Sequence, residues 1–295
     1  MKKLFSLFSF VLFVLVFNSF ASSTEEKKLD VIYGDDNRMD VFESTFSDLV
    51  TLSKSTAAMI PPKNLKALNN NEVEVFGGTL ESRGICEKEK FSQQISAANC
   101  SGFIVAPNVL VTAGHCIKSQ TDCAGYKWVF DYKVQYTDQS NVVVPATSVY
   151  SCKKIIARSL DQLSKDDYAV IELDRNVQDR KPLTFRRKGK ITENTSVAVI
   201  GHPTGLPTKI ADGAKVRSLQ AKFFVTNLDT YGGNSGSAVF NVKTKTVEGI
   251  LVRGENDYVP NPKLGCKVSK VCTNEGCRGE DVTYITNVDA IKKIR

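Results

Sequence analysis

The chain has 295 residues, enough for one large domain or two fused barrels. Hydrophobic residues make up 42% and charged residues 24%, the ordinary balance of a globular protein. The formal charge of +7 is mild, and no basic cluster is interleaved with aromatics, so nucleic acid is not implied as a partner.

Lys2 and Lys3 precede an apolar run over 4–17, followed by Asn18-Ser19-Phe20-Ala21-Ser22. This reads as a secretory signal peptide over 1–21, with Ser19 and Ala21 at the small-residue positions before the cut. The run is short for a membrane span. No cysteine follows the cut, so neither a lipid anchor nor stable membrane insertion is expected afterwards. Once Lys2 and Lys3 leave, 37 basic residues face 32 acidic ones, a charge of +5.

Residues 22–85 read as an N-terminal extension or a propeptide. Residues 22–28 are polar, and 30–38 read as a short strand and turn. Phe46, Leu49, Val50, Ala57 and Ile60 follow helical spacing, which Pro61-Pro62 ends. Asn69-Asn70-Asn71 reads as a linker. From 91 onward the pattern is β, with short apolar runs at 103–105, 109–111, 128–130, 142–144, 169–173, 197–200, 223–225, 237–240 and 247–252. Short strands with frequent turns indicate a sandwich or barrel. The basic stretch 180–194 reads as a crossing between two such units, and 287–294 as a short capped helix.

Eight cysteines, at 86, 100, 116, 123, 152, 266, 272 and 277, follow the signal. An even count in an exported chain reads as disulfides. Cys266, Cys272 and Cys277 crowd one stretch, but it lacks a paired C-x-x-C and a histidine. No metal and no cofactor are expected.

Three stretches carry chemistry. Ser235 lies in Thr230-Tyr231-Gly232-Gly233-Asn234-Ser235-Gly236-Ser237, where small neighbours allow a sharp turn and close substrate approach. Acyl transfer needs a nucleophile beside converging backbone N–H groups. Only two histidines exist, His115 and His202. His115 ends an apolar run in Val109-Leu110-Val111-Thr112-Ala113-Gly114-His115-Cys116, as a base held in a small-residue turn would. His202, in Ile200-Gly201-His202-Pro203, reads as structural or on the rim of the site. Asp166-Asp167-Tyr168-Ala169-Val170-Ile171-Glu172-Leu173 puts two acids at the mouth of a strand, where a carboxylate can be held to orient a base.

The order His, Asp, Ser in these segments resembles the chymotrypsin/trypsin-like serine proteases. The Asn-Ser-Gly-Ser core is similar to their bacterial branch, which includes the glutamyl endopeptidases. The resemblance runs from about Cys86 to the C-terminus. It implies an all-β fold of two antiparallel six-stranded barrels, about 86–185 and 190–285, with the cleft between them. It implies His115, Asp167 (rather than Asp166) and Ser235 as triad, Gly233 and Ser235 as oxyanion donors, and a disulfide from Cys100 to Cys116. The remaining pairings cannot be read.

Asp229, six residues before Ser235, falls where the family places the base of its specificity pocket. It is either a reader of Arg or Lys, or a surface acid on a shifted loop. Thr230, Val252 and Gly254 are expected to touch substrate. The glutamyl endopeptidases carry histidine where Leu251 stands, which argues against Glu specificity. Asn234 stands where the animal enzymes carry the Asp that a freed N-terminus pairs with. A salt-bridge zymogen trigger of that kind is therefore not implied. The expected function is a secreted (extracellular or periplasmic) serine endopeptidase acting on proteins or peptides after Arg or Lys, treated as a monomer. The alternatives are the same fold with another specificity, or a silent protease-fold binding module.

Overall fold

A computed structural model describes residues 32–294 apart from 70 and 138. The signal peptide expected over 1–21 lies outside the described residues. The architecture is two six-stranded antiparallel barrels with few helices. The first closes in the order Lys127–Val129, Val149–Leu160, Asp167–Leu173, Val109–Thr112, Cys100–Ala106 and Thr56–Ile60. The last of these pairs back onto the first, Trp128 opposite Met59. The second closes through Ser196–Gly201, Ala238–Asn241, Val247–Arg253, Glu280–Tyr284, Phe223–Thr226 and Lys209–Leu219. Arg38–Asp40 adds outside that ring, against Lys209–Leu219.

Residues 174–195 hold no strand, so the chain crosses between barrels where the basic stretch was expected. The segment 46–60 departs from its expected helix. Ser47–Ser53 is helical, but Thr56–Ile60 is a strand because both its edges find partners in the barrel. A domain boundary at 86 therefore cuts the first barrel, since one of its six strands comes from the segment 22–85. Val142–Pro145 is a strand outside the barrels, paired with Glu72–Val75. Of the linker expected at 69–71, Asn71 directly precedes that partner, and Asn70 lies outside the described residues. The C-terminal helical piece consists of two 3₁₀ turns, Ile285–Asn287 and Asp289–Ile291.

Strand alternation sets the two cores. Val197 and Val199 join Val216, Phe224, Val239, Leu251 and Val282 in one buried cluster. Their neighbours Ala198 and Ile200 face the other way, into a larger cluster with Phe103, Leu110, Ile171, Ala238 and Phe240. That larger cluster holds residues of both barrels and fixes one against the other. All eight cysteines are paired: Cys86–Cys266, Cys100–Cys116, Cys123–Cys152 and Cys272–Cys277. Such a set fits an oxidising compartment. Among the described residues, no helix is long and apolar enough to cross a membrane.

Candidate active site

His115 lies just past the end of the strand Val109–Thr112. Its ring Nδ1 is 2.8 Å from Asp167 Oδ2, and its backbone N–H donates to Asp167 Oδ1 at 3.1 Å. Asp167 opens the strand Asp167–Leu173 and is buried. With both carboxylate oxygens on one histidine, Nδ1–H is the donor and Nε2 is left to accept a proton. Asp166 points elsewhere, to Lys222 at 2.9 Å and Asn287 at 2.6 Å. Arg253 Nη1 lies 3.7 Å from Asp167, while its Nε donates to Asp281 at 3.1 Å.

Ser235 comes from the loop between Phe223–Thr226 and Ala238–Asn241. Its carbonyl accepts the Ser101 N–H at 2.8 Å, and Cys116 Sγ lies 3.7 Å from the same oxygen. The serine loop is thus seated on the residue next to His115. The Ser235 hydroxyl makes no hydrogen bond among the described residues, to His115 or to any other group. Such bonds often tighten only when substrate is in place. The N–H groups of Gly233 and Ser235 also have no acceptor among the described residues, which leaves both able to meet an oxyanion. Gly233 has φ of +96°, and a Cβ there would stand 2.6 Å from the His202 carbonyl, so only glycine fits. Asn234 is buried; its N–H donates to the Tyr231 carbonyl at 2.9 Å, closing the turn before the serine.

His202 is wholly buried beside Tyr132, with Nδ1 3.0 Å from the Leu206 carbonyl. Burial pushes its pKa down to about 3, so it is a neutral core residue and not part of the rim.

A cavity of about 180 Å³ opens beside Ser235, and Thr230, Val252 and Gly254 line it. Asp229 does not. It is buried, and its carboxylate accepts the N–H groups of Tyr33 and Asn37 at 2.8 Å each. Asp229 is therefore not a surface acid, and it stands behind the cavity rather than in its lining. The N-terminal segment occupies it, and burial raises its pKa to about 7.

Arg253 and three acids also line the cavity: Glu255, which is paired with Lys270 at 3.1 Å, and Glu280 and Asp257. Glu280 receives the Thr230 hydroxyl at 2.6 Å and the Glu255 N–H at 3.2 Å. Asp257 receives the Gly232 N–H at 2.7 Å. Burial raises Glu280 to about 8 and Asp257 to about 6. Neither has a cationic partner within 4 Å among the described residues. A side chain at 254 would collide with the Glu280 carboxylate, so Gly254 makes the room for it. Sequence reasoning missed both acids. The available signal was strand register: Glu280 adjoins Asp281, the partner of Arg253 across the pocket wall.

Comparison with known proteins agrees with this architecture. The chain is 30% identical over 194 residues to a Bacillus subtilis (strain 168) protein named extracellular metalloprotease. The match covers 61% of this chain and 58% of that one, so the chain spans little more than half of its curated relative. A solved Glu endopeptidase in complex with MPD superposes with a TM-score of 0.51 at 18% identity, over 88% of this chain and 97% of that one. The VesB protease of Vibrio cholerae does so at 0.50 and 14% identity, over 85% and 64%. At such identities the two structures speak for the fold alone. The sequence model of the family described as trypsin-like peptidase domain matches residues 100–250, half of the chain, and the chain belongs to that family.

Proposed function

We propose that the protein is an exported serine endopeptidase that cuts polypeptides after Arg or Lys. Ser235 attacks the scissile carbonyl carbon, and His115 takes its proton and returns it to the leaving amine. Asp167 orients the imidazole and stabilises its charged form, and the Gly233 and Ser235 N–H groups receive the oxyanion. The observation that carries this reading is the double contact of Asp167 with His115, whose neighbour Cys116 lies against the Ser235 carbonyl. Serine rather than metal chemistry is favoured because the cysteines beside His115 form a disulfide and offer no thiolate. The apolar run over 4–17 and the four disulfides support export.

We keep Arg or Lys as the proposed specificity, with a different reader. We assign the recognition of Arg or Lys to Glu280, with Asp257 near the rim, in place of Asp229. Glu280 and Asp257 are desolvated with no cation within 4 Å among the described residues, and Arg253, which also lines the cavity, is turned to Asp281, so the cavity favours a cationic guest. The test is fluorophosphonate labelling with peptide-library profiling. Labelling confined to Ser235, lost in Ser235→Ala, and a preference for Arg or Lys lost in Glu280→Gln are the expected results. An unlabelled protein that stays folded would leave the silent binding module.

A further inference from the structure

The segment 32–40 belongs to neither six-stranded ring, yet it ends on the loop that carries Ser235. Ile32–Tyr33 runs parallel to Val271–Cys272, and Arg38–Asp40 pairs with Lys209–Leu219. Between these anchors the backbone gives two N–H groups to Asp229, at 2.8 Å each. Asp40 pairs with the buried Lys209 at 2.5 Å. The most unusual member is Arg38, whose side chain is only 2% exposed. Its Nε and Nη2 donate to Asp36 at 2.9 and 2.8 Å. Its guanidinium stacks on the ring of Tyr231, 4.1 Å from the centroid, with Phe91 farther off at 5.6 Å.

Burying a guanidinium is costly unless its geometry is fixed on every side. Here one face is spent on Tyr231, whose carbonyl closes the turn to Asn234 and whose chain continues into Gly232-Gly233. That turn aims the Gly233 N–H. Asp229, two residues before Tyr231, is pinned by the same segment. The nucleophile loop is therefore gripped at two points by a stretch nearly 200 residues away in the chain. All the contacts use peptide N–H groups and side chains, so the grip needs no free amino terminus.

We propose that segment 32–40 is a strut for the nucleophile loop and that Arg38 is a positioning residue, holding Tyr231 so that the Gly233 N–H meets the oxyanion. The proposal rests on the serine-protease reading for its catalytic consequence, though not for the strut itself.

The test compares the full chain with Arg38→Gln, Arg38→Lys and Asp36→Asn. Two readouts are taken: amide hydrogen exchange over 229–236, and kcat and KM on an Arg-containing peptide amide. Arg38→Gln should speed exchange in that loop at least tenfold. It should lower kcat by about 10- to 100-fold, approaching the loss of one oxyanion donor, with KM changed less than threefold. Arg38→Lys keeps the charge without the flat, two-point grip and should recover part of kcat. Asp36→Asn should move both readouts the same way by a smaller factor, and it decides the matter if Arg38→Gln does not fold. Unchanged exchange and kcat within twofold in a folded variant would overturn the proposal. So would losses confined to thermal stability. Faster loop exchange in a chain that fluorophosphonate never labels would keep the strut and defeat the serine-protease reading. Brisk labelling with unaltered exchange would do the reverse.

Discussion

The two barrels hold their halves of the site by different means. The first keeps His115 and Asp167 within its own fabric: both stand at strand ends, on neighbouring strands paired Ala169 to Thr112. The Cys100–Cys116 bond ties the histidine turn to the next strand over. The second barrel leaves Ser235 on a loop and stabilises it from outside, through Ser101, Asp257 and the segment 32–40. His115 and Asp167 thus rest on short-range structure, whereas the loop bearing Ser235 and Gly233 rests on contacts with segments distant in the chain.

The sharpest way to break this contrast is at the acid. Asp167→Asn keeps the shape but favours the wrong imidazole tautomer, and kcat should fall by about 10⁴-fold with the melting temperature little changed. A stopped-rate assay on a peptide amide measures it. A drop under tenfold would mean that Asp167 does not orient the base.

Next comes the pocket. Glu280→Gln should cost on the order of 100-fold in kcat/KM for Arg and Lys substrates, since the guest's charge loses its partner. Glu280 must be ionised to bind a cation and its pKa is raised to about 8, so kcat/KM for those substrates should climb as pH rises through that range. The sign for stability is opposite. A carboxyl raised from 4.5 to about 8 on folding contributes stability fully present below its unfolded pKa and lost as pH rises through about 8. Thermal melts should fall over that window, and Glu280→Gln should flatten the fall.

The disulfide of the first barrel gives a smaller effect. Replacing Cys100 and Cys116 together by Ser opens a 16-residue loop and should cost about 3 kcal/mol in denaturant unfolding. Asp229→Asn should be smallest. It weakens the grip on Tyr33 and Asn37 by about 1 kcal/mol and leaves the preference for Arg or Lys intact. A lost preference would return Asp229 to the pocket.

The short strands and the three chemical motifs were legible because they are local, and the two barrels followed from the resemblance those motifs carry. Short apolar runs mark strands, and Gly-rich turns beside His115 and Ser235 announce constrained backbone. The long strands Val149–Leu160 and Lys209–Leu219 were not, because bulges and exposed Lys and Arg break their alternation. The strand Thr56–Ile60 was hidden by a spacing that also fits a helix. Asp229 was placed by counting back from Ser235, and counting cannot reveal that Tyr33 and Asn37 arrive to use its oxygens. Glu280 carries no motif at all; only the pairing of Arg253 with Asp281 brings it to the cavity. Likewise, nothing short-range links Cys86 to Cys266, 180 residues apart.

The strand Thr56–Ile60 has a practical corollary for anyone expressing the protein. A fragment begun at 86 or 100 would lack the stave that joins Lys127–Val129 to Cys100–Ala106, and would present two raw, apolar edges to its neighbours. Exposed edges of that kind pair with other chains, so such a fragment should be recovered in inclusion bodies, whereas one begun before residue 32 should stay dissolved. The ribosome makes this stave before the other five, and its two neighbours, Cys100–Ala106 and Lys127–Val129, emerge only about 40 and 70 residues later.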